Sequence, residues 1–363
     1  MKILVVQDHL RSGGTERQSV LLARGFARAG HDATLLTFRP GGALAGQLQD
    51  VTHRVLQPVD SRLDWWAPRL RQVARKFGPD VIVCMGRMAN CYSGALQATL
   101  PATAVVATLR TGKRLPFLFR RSLRRVAHIV ANSHEAKEVL GRDHQVPAER
   151  VSVIYNSLVF PPAGAPAGSR ESLQARHGAA PETVVLLCVA MFRPEKNQRG
   201  LLEVVRELPP ELPWQLWLAG EGPALPSCIE AVRAWGLTDR VRFLGWASDP
   251  KPLYEAGDIA VLTSRRESLS NFLIEAQAHG LPAVAFNALG VAEAFRPDES
   301  GLLVPMNEPA LFREALARLV AQPELRTRMG TCGREYARTQ FAPERQLQAY
   351  LDLFQQLHSR CAS

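Results

Sequence analysis

Short apolar runs alternate with stretches of helical periodicity along most of this chain, and the alternation occurs twice. Residues 2–6, KILVV, read as a buried strand, and after a loop from Gln7 to Thr15 the spacing predicts a helix over Glu16 to Ala29, with Val20, Leu21, Leu22, Ala23 and Phe26 on its apolar side and Gly30 ending it. Ala33 to Phe38 completes a first strand–helix–strand unit. Further strands are predicted at Val81 to Met85, Ala104 to Thr108, Ile129 to Ala131 and Val151 to Ile154, separated by helical segments such as Ala67 to Phe77 and His134 to Leu140. Strands alternating with helices are the pattern of a doubly wound parallel sheet.

Near residue 160 the pattern breaks. The stretch 160–181 holds PPAGAPAG and then a short polar helix candidate, Ser169 to His177, a composition typical of an exposed connection. Beyond it the alternation restarts with strands at Val184 to Val189, Trp214 to Ala219 and Val241 to Leu244, and helices at Gly200 to Leu208, Pro226 to Trp235 and Lys251 to Ala256. The tail is helical over Leu311 to Ala321, Pro323 to Thr339 and Pro343 to Leu357. The expected organisation is α/β: an N-terminal Rossmann-like domain at 1–160, a linker at 161–182, a second Rossmann-like domain at 183–342, and a C-terminal helix at 343–363 that packs back on the first domain. Two such halves create a cleft between them, where ligand sites are favoured.

The densest chemistry lies in 263–304. Strand-like Ile259 to Leu262 leads into Thr263-Ser264-Arg265-Arg266 and then to two acids in the pattern Glu267-x7-Glu275. Ser270 or Asn271 can N-cap a helix running to about His279, and Gly280 and Pro282 stop it. A helix N-terminus presents unpaired N–H groups and partial positive charge to a phosphate, while carboxylates accept hydrogen bonds from ribose or sugar hydroxyls. Taken alone, two acids are more often ordinary surface residues of a loop and a helix. Gly13-Gly14 permits close backbone approach to a ligand, yet a plain turn reads as well locally, and no G-x-G-x-x-G accompanies it.

Composition narrows the function classes. The 363 residues carry a net charge of +10, mostly from arginine, which suits phosphorylated substrates, an anionic membrane or nucleic acid. Nucleic acid is disfavoured, because no zinc finger or aromatic-plus-glycine RNA motif is present. The six cysteines have no C-x-x-C spacing, which argues against structural zinc and against a disulfide scaffold. No apolar run approaches the roughly 20 residues that span a bilayer. The run after Met1 is too short for a secretory leader, so a cytoplasmic location is expected.

Several motifs occur in one order along nearly the whole chain. They are Gly13-Gly14-x-Glu16-Arg17, Ala131-Asn132-Ser133, Val153-Ile154-x-Asn156, Arg193-Pro-Glu-Lys196-Asn197, Ala219-Gly220-Glu221-Gly222-Pro223, Val241-x-Phe243-Leu244-Gly245, Ala256-Gly257-Asp258, Glu267-x7-Glu275 and Gly301-Leu-Leu-Val-Pro305. Together they resemble the retaining glycosyltransferases of family 4, which have the GT-B fold of two facing Rossmann-like domains. The resemblance implies a hexosyltransferase that moves a hexose or N-acetylhexosamine from a nucleotide-diphosphate sugar, UDP or GDP, to a glycan or lipid-linked acceptor in cell-surface polysaccharide or glycolipid synthesis.

It also implies residue roles. Glu275 would hold the ribose hydroxyls and Glu267 would orient the transferred sugar. Leu269, Ser270, Asn271 and Phe272 would offer backbone amides, Leu244 and Gly13-Gly14 would border the donor, and Lys196 would neutralise the diphosphate. Lysine occurs only at Lys2, Lys76, Lys113, Lys137, Lys196 and Lys251, so one at the motif position is not filler. Family members commonly have an arginine where this chain has Met191; Arg193 would substitute from the same loop. Many have a histidine where this chain has Leu109-Arg110-Thr111, so Arg110 would bind the sugar or an acceptor phosphate, or be a surface residue. No metal is required, since no Asp-x-Asp cluster stands in a suitable loop, and the leaving phosphate can itself take the acceptor proton. Two other readings stay open: a nucleotide-sugar epimerase on the same fold, which the Glu-x7-Glu pattern disfavours, and a non-catalytic binding relative, which would have lost the acids or the lysine.

The basic stretch 113–125, KRLPFLFRRSLRR, mixes Phe and Leu with arginines. It suits an anionic membrane surface, which would make the protein peripheral on the inner face of the membrane. It suits equally a helix that buries Phe117, Leu118 and Leu123 and leaves its arginines solvated.

Overall fold

The structure is a computed structural model that describes residues 1–48, 50–110, 114–160 and 169–362, the side chains of 169 and 360–362 excepted. Thr111, Lys113 and the first part of the expected linker, 161–168, lie outside the described residues, as does the Cys361 side chain. The chain divides into two compact units, residues 1–157 with 343–363 and residues 158–342.

The first unit runs β1 (Lys2–Gln7), α1 (Gly14–Arg28), β2 (Asp32–Thr37), β3 (Thr52–Val55), α2 (Leu70–Phe77), β4 (Val81–Cys84), α3 (Arg87–Thr99), β5 (Ala104–Leu109), α4 (Phe117–Leu123), β6 (His128–Ala131), α5 (His134–His144) and β7 (Val151–Val153). Its seven-stranded sheet has the order β3-β2-β1-β4-β5-β6-β7, with every pair parallel. Both faces are buried, so the strands read as continuous apolar runs. In β1 the alternation is still visible: Ile3 and Val5 enter one core with Phe26, whereas Leu4 and Val6 enter the other with Phe38 and Phe119.

Two elements have weak sequence signals for clear physical reasons. The edge strand β3, THRV, is mostly exposed, so it has no apolar run. The helix α3 meets α4 through small residues, and a Cβ on Gly94 would lie 2.9 Å from Ser122 Cα. Its contact face is made by closeness rather than by large apolar side chains, which blunts the helical periodicity.

The second unit runs α6 (Ser169–Arg176), β8 (Val184–Val189), α7 (Gln198–Arg206), β9 (Trp214–Ala219), α8 (Leu225–Ala234), β10 (Val241–Gly245), α9 (Lys251–Ala256), β11 (Ile259–Leu262), α10 (Asn271–Ala278), β12 (Ala283–Phe286), β13 (Gly301–Val304), α11 (Pro309–Ala321) and α12 (Pro323–Gln340). The six-stranded sheet has the order β10-β9-β8-β11-β12-β13 and is parallel throughout. Leu186, Leu216, Val261, Val284, Phe312 and Leu316 share its main core. The helix α6, within the stretch read as linker, is held to α9 by Gln174 Nε2, which donates to Ala256 O. Arg170 donates to Asp258 at 2.5 Å, and the same carboxylate accepts from Val185 N at 2.8 Å. The Ala256-Gly257-Asp258 motif is therefore a brace at the amino-terminal edge of this sheet.

The last helix, α13 (Pro343–Ala362), belongs to the first unit. Tyr350, Leu353, Phe354 and Leu357 join the core that contains Phe26. A buried amide network fastens it. Gln18 donates to Ser157 O at 2.7 Å and accepts from Ser157 N at 3.0 Å, while Gln346 donates to Gln18 at 2.9 Å and to Tyr155 O at 2.7 Å. The Ser157 hydroxyl closes the ring by donating to Gln346 at 2.7 Å. Buried amides bonded on all sides specify one register for the returning helix.

A second polar tie joins β1 to β4, the two strands from which the sheet order runs outward. Asp8, after β1, accepts from the backbone amides of Met88 at 2.9 Å and Ala89 at 2.6 Å in the first turn of α3. A Cβ on Gly86 would lie 2.3 Å from the same carboxylate, so only glycine admits it.

Two outcomes are expected. Gln346→Leu strands the buried partners of that amide and lowers unfolding free energy by about 1–3 kcal/mol, measured by urea denaturation. Burial pushes the Asp8 carboxyl from 3.8 up to about 7, against the pull of the two amides. An acid raised in the folded state holds its proton there, so its contribution to stability is full below the ordinary value and is lost as pH rises to about 7. Asp8→Asn flattens that decline in a melting-temperature series across pH.

Candidate functional site

In a parallel sheet every loop that follows a strand emerges at the same edge, and ligands are received there, where the strand order reverses. In the second unit that place is β8 beside β11. The loops after these two strands are tied to each other. Asn197 donates to Thr263 O at 3.2 Å, the Thr263 hydroxyl donates to Asn197 O at 2.8 Å, and Arg265 N donates to Glu195 O at 2.8 Å. Asn197 adopts a left-handed conformation, φ 54°, which asparagine tolerates. A Cβ on Gly200 would lie 2.4 Å from the Asn197 amide.

This tie brings Lys196 to Glu267, and their side chains form an ion pair of 2.5 Å. Glu267 is 9% exposed and Lys196 26%. Arg193 precedes the short turn Pro194–Lys196, whose last amide, Lys196 N, bonds to Arg193 O at 2.9 Å. The Gly220-Glu221-Gly222 loop lies against the same segment. A Cβ on Gly220 would be 2.1 Å from Ala190 O and one on Gly222 2.3 Å from Phe192 O, and both glycines have positive φ. Leu244 sits at the register shift near the end of β10, where Gly245 O accepts from Gly220 N at 2.7 Å.

The helix α10 begins as its residues direct. Ser270 is its N-cap, with the hydroxyl accepting from Leu273 N at 3.4 Å. Leu269, Ser270 and Phe272 are buried, and Asn271 is half-buried. One turn on, Glu275 accepts from the Tyr254 hydroxyl at 2.5 Å. Tyr254 is stacked on His279, with ring centroids 5.1 Å apart, and lies 6.2 Å from Phe272. Burial lowers the pKa of His279 in this stack. Ser264, 1% exposed, has a hydroxyl with no protein partner among the described residues. A buried polar atom of this kind at a loop of the ligand edge suits a polar ligand.

Lys196, Arg193, Glu267, Leu244, the start of α10 and Glu275 thus all belong to the second unit, on its β8, β10 and β11 connections. Gly13, Gly14 and Arg110 belong to the first. Gly13 is the N-cap of α1, φ −75° and ψ 165°, and a Cβ there would lie 2.4 Å from the Glu16 carboxylate. The Glu16 carboxylate thus lies over the start of the helix, against Gly13. Arg110 donates to Asn156 and, at 2.7 Å, to the hydroxyl of the fully buried Tyr350. Its guanidinium is therefore anchored to the C-terminal helix and is not a free surface cation. Tyr254 and the Asn197–Thr263 tie escape sequence reasoning, since no spacing rule joins residues 21 or 66 positions apart.

The basic stretch divides in a way that periodicity did not foresee. Leu115, Phe119 and Leu123 are buried, whereas Phe117 is 66% and Leu118 57% exposed, which corrects the reading of Phe117 and Leu118 as core residues. Beside them Phe117, Arg120, Arg121, Arg124, Asp143, His144 and Gln145 line a groove of about 460 Å³. No helix among the described residues is long and apolar enough to cross a membrane.

Comparison with known proteins matches both units of the chain. Residues 12–158 match the family described as Glycosyltransferase Family 4, and residues 169–336 match Glycosyl transferases group 1. A lipopolysaccharide core biosynthesis glycosyltransferase of Rhizobium meliloti, LpsD, is 29% identical over 94% of this chain and 95% of its own. A second from that organism, LpsE, is 34% identical over 47% of this chain and 49% of its own, so the chain spans about half the length of that relative. Among solved structures, HepE of Anabaena, crystallised in complex with UDP, superimposes with a TM-score of 0.84 at 21% identity, covering 98% of this chain and 100% of that one. Further crystals of HepE hold UDP with glucose, and UDP-glucose. With two parallel-sheet Rossmann-like units of GT-B class, and with both halves matched in order, the chain belongs to the group 1 glycosyltransferases.

Proposed function

We propose that this protein transfers a hexose or N-acetylhexosamine from a nucleotide-diphosphate sugar to a glycan or lipid-linked acceptor, with retention at the anomeric carbon. The observation that carries the reading is the pairing of Lys196 with Glu267 at the β8–β11 edge, next to the capped start of α10 and the Tyr254-bonded Glu275. Glu275 accepts from ribose hydroxyls, and Tyr254 fixes its rotamer. Lys196 exchanges its contact with Glu267 for the diphosphate, helped by Arg193 and the amides of 269–272, and so stabilises charge on the departing phosphate. Glu267, released from the lysine, turns its carboxylate to a sugar hydroxyl. No metal is needed in this scheme, and the departing phosphate takes the acceptor proton. UDP is the favoured nucleotide, since HepE is held with UDP and UDP-glucose, and GDP is the alternative. The lipopolysaccharide-core relatives suggest a cell-surface glycan as acceptor.

Phe117, Leu118 and the arginine-lined groove beside them support a peripheral, salt-sensitive contact with anionic lipid at the inner face of a membrane.

Screening UDP-, GDP- and ADP-sugars by thermal shift identifies the donor, which stabilises the fold in proportion to its affinity. Glu275→Ala and Lys196→Ala are expected to lower donor turnover by about two or more orders of magnitude while leaving the protein folded. Near-normal turnover in both refutes the site. Tyr254→Phe is expected to raise the donor KM about tenfold with a smaller effect on kcat, because it loosens a ground-state contact. Sedimentation with phosphatidylglycerol vesicles at low and high salt checks the membrane contact, and no binding at low salt removes it.

A further inference from the structure

In the first unit the loop between β3 and α2 leaves Val59, Leu63, Trp65 and Trp66 at 70, 40, 58 and 38% exposure. Single exposed apolar residues are ordinary, but a run of this size with two adjacent tryptophans asks for a partner. The loop is not slack. Gln57, 1% exposed, lies inside it and donates to Leu63 O at 2.9 Å and Trp66 O at 2.6 Å, while accepting from the Ser61 hydroxyl at 2.7 Å. The Tyr92 hydroxyl donates to Trp65 O at 2.5 Å. Arg39 grips Asp60 with two bonds, of 2.7 and 2.9 Å, and Asp64 with one of 2.6 Å.

The loop also has a defined place. It follows the carboxyl end of β3, and Arg11, two residues before Gly13, bonds Asp64 at 2.5 Å. The two tryptophans are thereby fastened to the loop that carries Gly13-Gly14 at the ligand edge of this sheet. Asp60 and Asp64 are balanced in sequence by Arg62 and Arg69, so the segment is neutral overall. Neutrality disfavours an anionic bilayer, whose chemistry fits the arginines of 114–125 better. Exposed indoles, near in sequence to the carboxylates of Asp60 and Asp64 that Arg39 and Arg11 hold in place, offer what a pyranose ring needs for its apolar C–H face and its hydroxyl donors.

We infer that Trp65 and Trp66 form a preformed stacking platform for a sugar ring of the acceptor glycan, with Asp60 and Asp64 receiving its hydroxyls. The inference rests on the transferase reading above and adds to it the side chains that grip the acceptor. Because the loop is held by bonds already made, little ordering is required on binding.

The test uses the full chain and, as probe, the core oligosaccharide released by mild acid from Rhizobium lipopolysaccharide. The remaining tryptophans, Trp214, Trp217, Trp235 and Trp246, all lie in the second unit, so the emission difference between wild type and W65A/W66A reports the platform. A saturable change in emission on titration is expected in wild type and is lost in the double variant. In transfer assays W65A/W66A raises the acceptor KM by about tenfold or more, while donor stabilisation and slow donor hydrolysis are unchanged. W65F/W66F, which keeps the aromatic faces, recovers most of the affinity. Unmoved wild-type emission, or a double variant that binds and transfers like wild type, overturns the platform. So does a variant that loses vesicle binding but still transfers normally to the soluble oligosaccharide, since that assigns the indoles to a membrane. If no nucleotide sugar stabilises the protein, the transferase reading fails; the emission titration needs no donor and still decides the platform.

Discussion

The reciprocal hydrogen bonds between Asn197 and Thr263 are the constraint on which the candidate donor site depends. They join the loops after β8 and β11 at the point where the strand order reverses. Without that tie, Lys196 and Glu267 would be a lysine and an acid on separate loops. With it they form a largely sheltered ion pair, and an ion pair out of water requires close geometry to offset desolvation. The glycines around it serve the same end. Gly220 and Gly222 stand where a Cβ would collide with the backbone of the loop after β8, and Gly200 where it would meet the Asn197 amide itself.

The first unit uses a parallel device at its own reversal point. Asp8, after β1, holds the first turn of α3, after β4, through two backbone amides. Each sheet therefore stitches together the loops at its reversal point with short polar side chains, one from a single loop in the first unit and one from each loop in the second. A side-chain tie suits this edge, because strand ladders end there and the loop backbone would otherwise need water to satisfy it.

The C-terminal helix serves both the core of the first unit and the candidate site residue Arg110. Its apolar face completes the core beside α1, its Gln346 closes a buried amide ring, and its Tyr350 orients Arg110. Arg110 stands where the resemblance leads one to expect a histidine. Its anchoring means that what it presents depends on a helix about 240 residues further along the chain.

Most of the fold was legible in the chain itself. Buried strands such as KILVV and VVLLCV, and helices such as α9 and α13, announce themselves because burial on both faces or on one stripe selects the residue types directly. Ser270 was one of two legible candidates for the cap of α10, beside Asn271, and the structure places the cap at Ser270; the acids of Glu267-x7-Glu275 stood out only through the ordered set of motifs, not by local pattern. The edge strand β3 and the small-residue helix α3 were not legible, since exposure and close approach leave no apolar signature. The partners of the candidate site groups were also beyond the sequence: Tyr254 for Glu275, Glu267 for Lys196, Tyr350 for Arg110, and the loop bonds that hold Trp65 and Trp66. Residue type and spacing are set by the chain over a few turns, and they determined which elements form and which chemistry is available. Which side chain meets which is a product of strand order and loop packing, and only the tertiary structure decided that.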